Sequence, residues 1–170
     1  MKFLVVVDMQ NDFCKPGGVL YNPDAEAIIP NIIERCKEYE DKSIIFTSDA
    51  HDLFQYPYTV EGTTLPMHCE QYTKGYKIVD ELQPFVDTRN VKLKTSFACD
   101  WSEYNLGPMD TIELCGTCTD ICVISNALAL RSKFPGVEIV VHADCCAGLT
   151  PEKHEAALKV MESCLIEVVR

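Results

Sequence analysis

Short apolar runs rich in Val and Ile alternate along the chain with segments whose apolar positions recur every three or four residues. The runs are Phe3–Val7, Ser43–Thr47, Val91–Lys94, Thr111–Cys115, Val137–Val141 and Leu165–Val169. Runs this short fit strands buried on both faces, and their alternation with helical segments predicts a parallel sheet joined by crossover helices. Between Asp24 and Glu40, Ile28, Ile29, Ile32, Ile33 and Cys36 share one helical face behind the turn Asn22-Pro23-Asp24. Thr119–Arg131 reads as a second helix. Pro151–Ser163 reads as a third, with Thr150 as its N-cap and Pro151 in the first helical position. Only Asp49–Lys77 follows neither period, and it carries prolines, glycines and two histidines. A loop of that length within a compact domain usually carries function, although a surface excursion is the bland alternative.

Composition narrows the class. At 170 residues the chain is expected to form one domain spanning 1–170, with a core that needs no disulfide or metal to hold it. The apolar start, Phe3–Val7, ends at Asp8 and is too short for a secretory signal or a membrane span, so a cytoplasmic location is expected. There thiols stay reduced, and ten cysteines read as small core residues plus one reactive thiolate. A formal charge of −11 disfavours nucleic acid or an anionic membrane as partner and leaves a small molecule as the expected one.

In open α/β sheets the ligand sits beyond the carboxyl ends of the strands. Asp8 follows the first run, Asp49 the second, Lys94 closes the third, and the cluster Cys115-Gly-Thr-Cys118-Thr-Asp-Ile-Cys122 follows the fourth. Each alone has an ordinary reading, Asp8 as a turn cap and Lys94 as a solvated strand end; four on one rim point to a site. Cys122 falls in the first turn of the next helix, where unsatisfied N–H groups and a nearby ammonium lower a thiol's pKa. Lys94 is the candidate ammonium and Asp8 the candidate base, completing a nucleophile, base and cation set. Helix-terminal N–H groups would also face an oxyanion formed there.

Two rival readings of the cluster are weaker. Cys115 and Cys118 have C-x-x-C spacing, but Cys115 lies within a strand run, whereas a dithiol redox pair opens a helix. A structural zinc site wants a second spaced pair, and Cys145-Cys146 lacks the gap. In the long loop, Asp49 and His51 would point the same way from an extended segment, and His68 could fold back to meet them. That set suits zinc or a similar divalent ion, and it equally suits two satisfied loop histidines with a capping Asp.

These motifs resemble one family. Asp8 in VVDMQNDF, Lys94 in KLKTSF and Cys122 in CGTCTDICV look like the triad of the isochorismatase-like cysteine hydrolases, with nicotinamidase the nearest named activity. The segment TSDAH…LPMHCEQYTKG is similar to the nicotinamidase metal loop, and the likeness runs from Lys2 to about Val169. The resemblance implies a three-layer α/β/α sandwich with a central, mainly parallel sheet of about six strands. It also implies one divalent ion on Asp49, His51 and His68, zinc ahead of manganese, iron or magnesium, and a homo-oligomer. It implies a cis peptide between Thr117 and Cys118, with the N–H groups of Cys118 and Cys122 as the oxyanion hole. The expected activity is hydrolysis of a small amide through a thioester. The alternatives are another small amide, a ureido or a vinyl-ether substrate, or a non-catalytic binder or thiol sensor. Phe13 is retained as a wall of the substrate pocket, but Ala50 and Leu65 stand where the nicotinamidase loop carries tryptophans, so one ring-stacking wall is expected to be missing.

Overall fold

The computed structural model describes residues 1–170, the side chain of Asp41 excepted. Six strands, β1 (Lys2–Val7), β2 (Ile44–Asp49), β3 (Val91–Lys94), β4 (Thr111–Thr117), β5 (Glu138–Ala147) and β6 (Glu167–Val169), form one sheet in the order β3-β2-β1-β4-β5-β6. Every pairing is parallel. Strand β1 shows why its sequence is almost wholly apolar: Val5 and Val7 pack into one core, Leu4 and Val6 into the other.

The helices are α1 (Asn11–Cys14), α2 (Pro23–Ala27), α3 (Ile29–Cys36), α4 (Val60–Thr64), α5 (Ile124–Lys133) and α6 (Pro151–Ser163). Apolar side chains of α5 and α6, including Ala127, Leu130, Leu158 and Met161, close one face of the sheet. Those of α1–α3, including Phe13, Ala25, Ile29 and Ile32, close the other. The result is the three-layer α/β/α sandwich expected.

Two helices differ from their sequence reading. The segment expected to run from Asp24 to Glu40 is broken at Ile28, which ends α2 and begins α3. Pro30 explains the break: within a continuous helix it would lose the bond to Glu26 and collide with that carbonyl, whereas near a helix start it is tolerated. The segment from Thr119 opens with a π turn over Thr119–Val123 before α5 begins. Helix α6 matches its expected bounds, and the Thr150 side chain accepts from the Lys153 amide as the N-cap.

Chain order reverses between β1 and β4, a topological switch point. The carboxyl ends of those two strands diverge into separate connections and leave a crevice there. Gly116 makes the approach of the two strands possible. It sits at φ 119°, and a Cβ on it would lie 2.1 Å from the Val7 carbonyl oxygen.

Candidate active site

Asp8, Lys94 and Cys122 meet at the switch point. Asp8 leaves β1 in left-handed backbone, φ 51°, a conformation Asp tolerates better than most residues. It is fully buried and does not cap α1, whose N-cap position is Gln10. Lys94, at the end of β3, is buried too rather than solvated. Its Nζ lies 2.7 Å from Asp8 Oδ2 and 3.6 Å from Cys122 Sγ, and it donates to Asp49 Oδ1. Thr47 Oγ1 donates to Asp8 Oδ1 at 2.5 Å. Asp8 Oδ2 has the Lys94 ammonium as its ionic partner and no other hydrogen-bond donor.

Burial first, then the Asp8 charge, push the Cys122 thiol well above its ordinary pKa, and Lys94 offsets only part of this. The helix start therefore does not leave Cys122 ionised in the resting protein, contrary to the expectation from its position. A side chain removed from water beside a carboxylate keeps its proton until a base takes it. Burial also works against the Lys94 ammonium, but Asp8, Cys122 and Asp49 outweigh it and hold its pKa well above the lysine range. Lys94 is a fixed cation between the side chains of Asp8 and Asp49.

The π turn carrying Cys122 follows directly on β4. The Thr117–Cys118 peptide is cis, and the Cys118 N–H finds no acceptor among the described residues. All ten cysteines are free thiols. Cys115 is wholly buried in β4, while Cys118 lines the cavity with its thiol raised to about 11 by burial.

The loop between β2 and β3 brings Asp49, His51 and His68 together and adds a residue the sequence reading did not single out, Glu61 on α4. One donor atom from each of the four lies within 4.8 Å of the others. The His68 Nδ1 position, 2.9 Å from the Pro66 carbonyl and 3.2 Å from the Tyr56 hydroxyl, suits an N–H donor and turns Nε2 toward Glu61 Oε1 at 3.4 Å. His51 Nε2 is buried without a partner and faces Asp49 Oδ2 at 3.9 Å and Glu61 Oε1 at 3.8 Å. Two imidazole nitrogens, one orphaned, converging with two carboxylates form a donor set that fits a divalent ion. Without one, burial and the neighbouring His68 lower His51 to about 4. Burial also opposes charge on His68, but Glu61 and the Pro66 carbonyl raise its pKa overall. Asp49 is raised to about 7, by burial first and by Asp8 second. Glu61 escaped notice because α4 is five residues long and shows no period, and one acid among 26 carries no signal. Its place between the two histidines, two residues after the N-cap Thr59, was the available clue.

A cavity of about 400 Å³ opens onto Cys122. Its lining includes the apolar side chains of Phe13, Leu20, Leu65, Phe97, Ile121 and Leu149, the ring of Tyr21, and polar groups among them Asp49, Glu61 and His68. Ala50 is buried and lies outside this lining, so only Leu65 of the two altered loop positions faces the cavity. Among the described residues no arginine or lysine lines it. A larger open hollow of about 630 Å³ beside β3 is lined by Ser48, Ile78 and Leu93 among others, and by none of the candidate chemical groups.

An acid, a cation and a thiol gather at the switch point of a parallel α/β sheet, beside a cluster of side chains able to hold a metal. The isochorismatase domain family matches residues 2–170, and the chain belongs to that family. It is 32% identical over 120 residues to a nicotinamidase of Saccharomyces cerevisiae, a match covering 55% of each chain. With the nicotinamidase/pyrazinamidase of Mycobacterium tuberculosis it shares 28% identity over 197 aligned positions, covering 99% of this chain and 98% of the other. The pyrazinamidase of Pyrococcus horikoshii, solved in complex with zinc, superposes with a TM-score of 0.81 at 30% identity, covering 99% and 98% of the two chains.

Proposed function

We propose that the protein is a cysteine-dependent amidohydrolase of nicotinamidase type, acting on a small neutral amide. The observation that carries this reading is the placement of Lys94 between Asp8 and Cys122, buried behind a cavity that Cys122 lines and that no lysine or arginine lines. No lysine or arginine side chain is free there to pair with a substrate carboxylate, because Lys94 is already engaged by Asp8 and Asp49. That disfavours acidic vinyl ethers and favours an uncharged carboxamide.

In the proposed cycle Asp8 takes the proton of Cys122, and Lys94 steadies the thiolate as it forms. The sulfur attacks the amide carbonyl, and the oxyanion is held by the N–H groups of Cys118 and Cys122. Asp8 gives the proton to the departing nitrogen, and ammonia leaves from a thioester. Asp8 then takes a proton from water, the hydroxide attacks the thioester carbonyl, and the proton passes to the departing sulfur. The acid is released and the thiol restored. Asp49, His51, Glu61 and His68 would hold a divalent ion, zinc as in the Pyrococcus protein. When bound, the ion supplies a coordination point that orients a substrate heteroatom, directly or through water.

The aliphatic lining at Leu20, Leu65, Ile121 and Leu149 supports a second reading, a smaller aliphatic amide or a ureido compound as substrate. Ammonia release from nicotinamide, pyrazinamide, aliphatic amides and ureido compounds separates the two. Turnover of nicotinamide is the expected result. Cleavage of only the aliphatic or ureido compounds would move the substrate, and no turnover of any by zinc-loaded protein would refute the hydrolase reading.

A further inference from the structure

Asn126, in the first turn of α5, is wholly buried and uses its side-chain amide completely. Its Nδ2 donates to the Cys122 carbonyl at 2.8 Å and to the Phe97 carbonyl at 3.2 Å. Its Oδ1 accepts from the Cys99 amide at 2.9 Å and from the Trp101 indole N–H at 3.2 Å. All four bonds exist in only one orientation of the amide, since Cys99 and Trp101 offer donors and the two carbonyls accept. The segment from Thr95 to Trp101 has no regular structure. Apart from turn bonds to Ser102 and Tyr104 just beyond its end, its hydrogen bonds to the rest of the chain, among the described residues, run to this one side chain. Phe97, whose ring lines the cavity while remaining half-exposed, belongs to that segment. One amide thus joins the turn that carries the nucleophile to the segment that carries a cavity wall.

We propose that Asn126 is a positioning residue that sets the Phe97 wall and the Cys122 turn in register, so that substrate seating and sulfur attack depend on a common anchor. This rests on the amidohydrolase reading for its catalytic meaning, though not for its physical basis. A serine at this position separates the two links. Its hydroxyl can still donate to the carbonyl four residues back, that of Cys122, but is too short to reach the 97–101 segment.

Asn126→Ser is therefore expected to raise KM for the best amide about tenfold with kcat changed less than about threefold, whereas Asn126→Ala raises KM similarly and lowers kcat about tenfold. Phe97→Ala should raise KM in the wild-type background and add little in the Asn126→Ser background, because the wall is already displaced there. Trp101, the only tryptophan, reports the same event without catalysis: its emission should shift to the red in both Asn126 variants. Folding is checked by thermal melting. Should Asn126→Ala not fold, the Asn126→Ser and Phe97→Ala pair decides. Full additivity of Phe97→Ala with Asn126→Ser, or unchanged KM and Trp101 emission in a folded Asn126 variant, would overturn the proposal. If the wild type hydrolyses no amide, the function reading fails separately, and the register is judged on Trp101 emission and on alkylation of Cys122 by iodoacetamide. Both should change in Asn126→Ala, and no change in either would overturn it.

Discussion

Replacing Asp8 by Asn should make Cys122 a better nucleophile toward a simple alkylating agent and a far worse catalyst. Asn keeps the shape, tolerates the left-handed backbone at φ 51°, and can still accept from Thr47 through its amide oxygen. What it removes is a negative charge and a proton acceptor. The reactive atoms of Asp8 and Cys122 lie within 4.8 Å. At that separation, two unit charges repel by about 3.5 kcal/mol with an effective dielectric of about 20. Relieving that repulsion raises the thiolate population by about two and a half orders of magnitude at neutral pH. The lower intrinsic nucleophilicity of a more acidic thiol takes back about half of this on a logarithmic scale, leaving roughly a twentyfold gain in alkylation rate. Turnover needs the proton delivered to the leaving nitrogen and later taken from water, so ammonia release should fall about 10²- to 10⁴-fold. Iodoacetamide labelling of Cys122 followed by mass spectrometry gives the first rate, and an ammonia assay the second. A parallel fall in both would mean that Asp8 maintains the thiolate rather than moving its proton, and the assignment of the base would be wrong.

Removing the thiol of Cys122 by Cys122→Ala should abolish ammonia release, while Cys115→Ala and Cys118→Ala retain it, because Cys118 is proposed to act through its backbone alone. Metal affinity, read by isothermal titration with zinc, should rise with pH through the range near 7. In the metal-free protein His68 and Asp49 both have raised pKa values, Asp49 to about 7, and hold protons the ion must displace. The expected slope is about tenfold per pH unit for each proton released, and a flat profile would remove these groups from the ligand set. Leu65→Trp should lower KM for nicotinamide roughly three- to tenfold by restoring an aromatic contact, with kcat much less affected. Gly116→Ala should cost about 3 kcal/mol or more in urea unfolding, since the added methyl meets the Val7 carbonyl in a backbone region that L-residues avoid.

Much of this site could be read from the chain because strand ends are easy to place. Short apolar runs fix where β1, β2, β3 and β4 stop, and Asp8, Asp49, Lys94 and Cys122 stand at or just beyond those stops. What could not be read depends on burial and on irregular backbone. The sign of the Cys122 pKa shift follows from how completely water is excluded, which no spacing reports. Glu61 and Phe97 reach the site from a one-turn helix and an unpatterned segment, so periodicity gave them no address. The break at Ile28 could be anticipated from Pro30, yet the isoleucine face on both sides of it carried the stronger signal for one continuous helix.

The strand order also governs when chemistry can begin. The central strands β1 and β4 pair in the register Lys2↔Thr111, so their contact waits on a closure spanning most of the chain. Asp8, Asp49, Lys94 and Cys122 gather only once four strands from distant parts of the sequence have aligned. A folding intermediate that lacks the β1–β4 pairing has its thiols but neither the shared ammonium nor the crevice. Recovery of activity on dilution from denaturant should therefore coincide with the last cooperative step of sheet assembly, making enzymatic turnover a clock for completion of the fold.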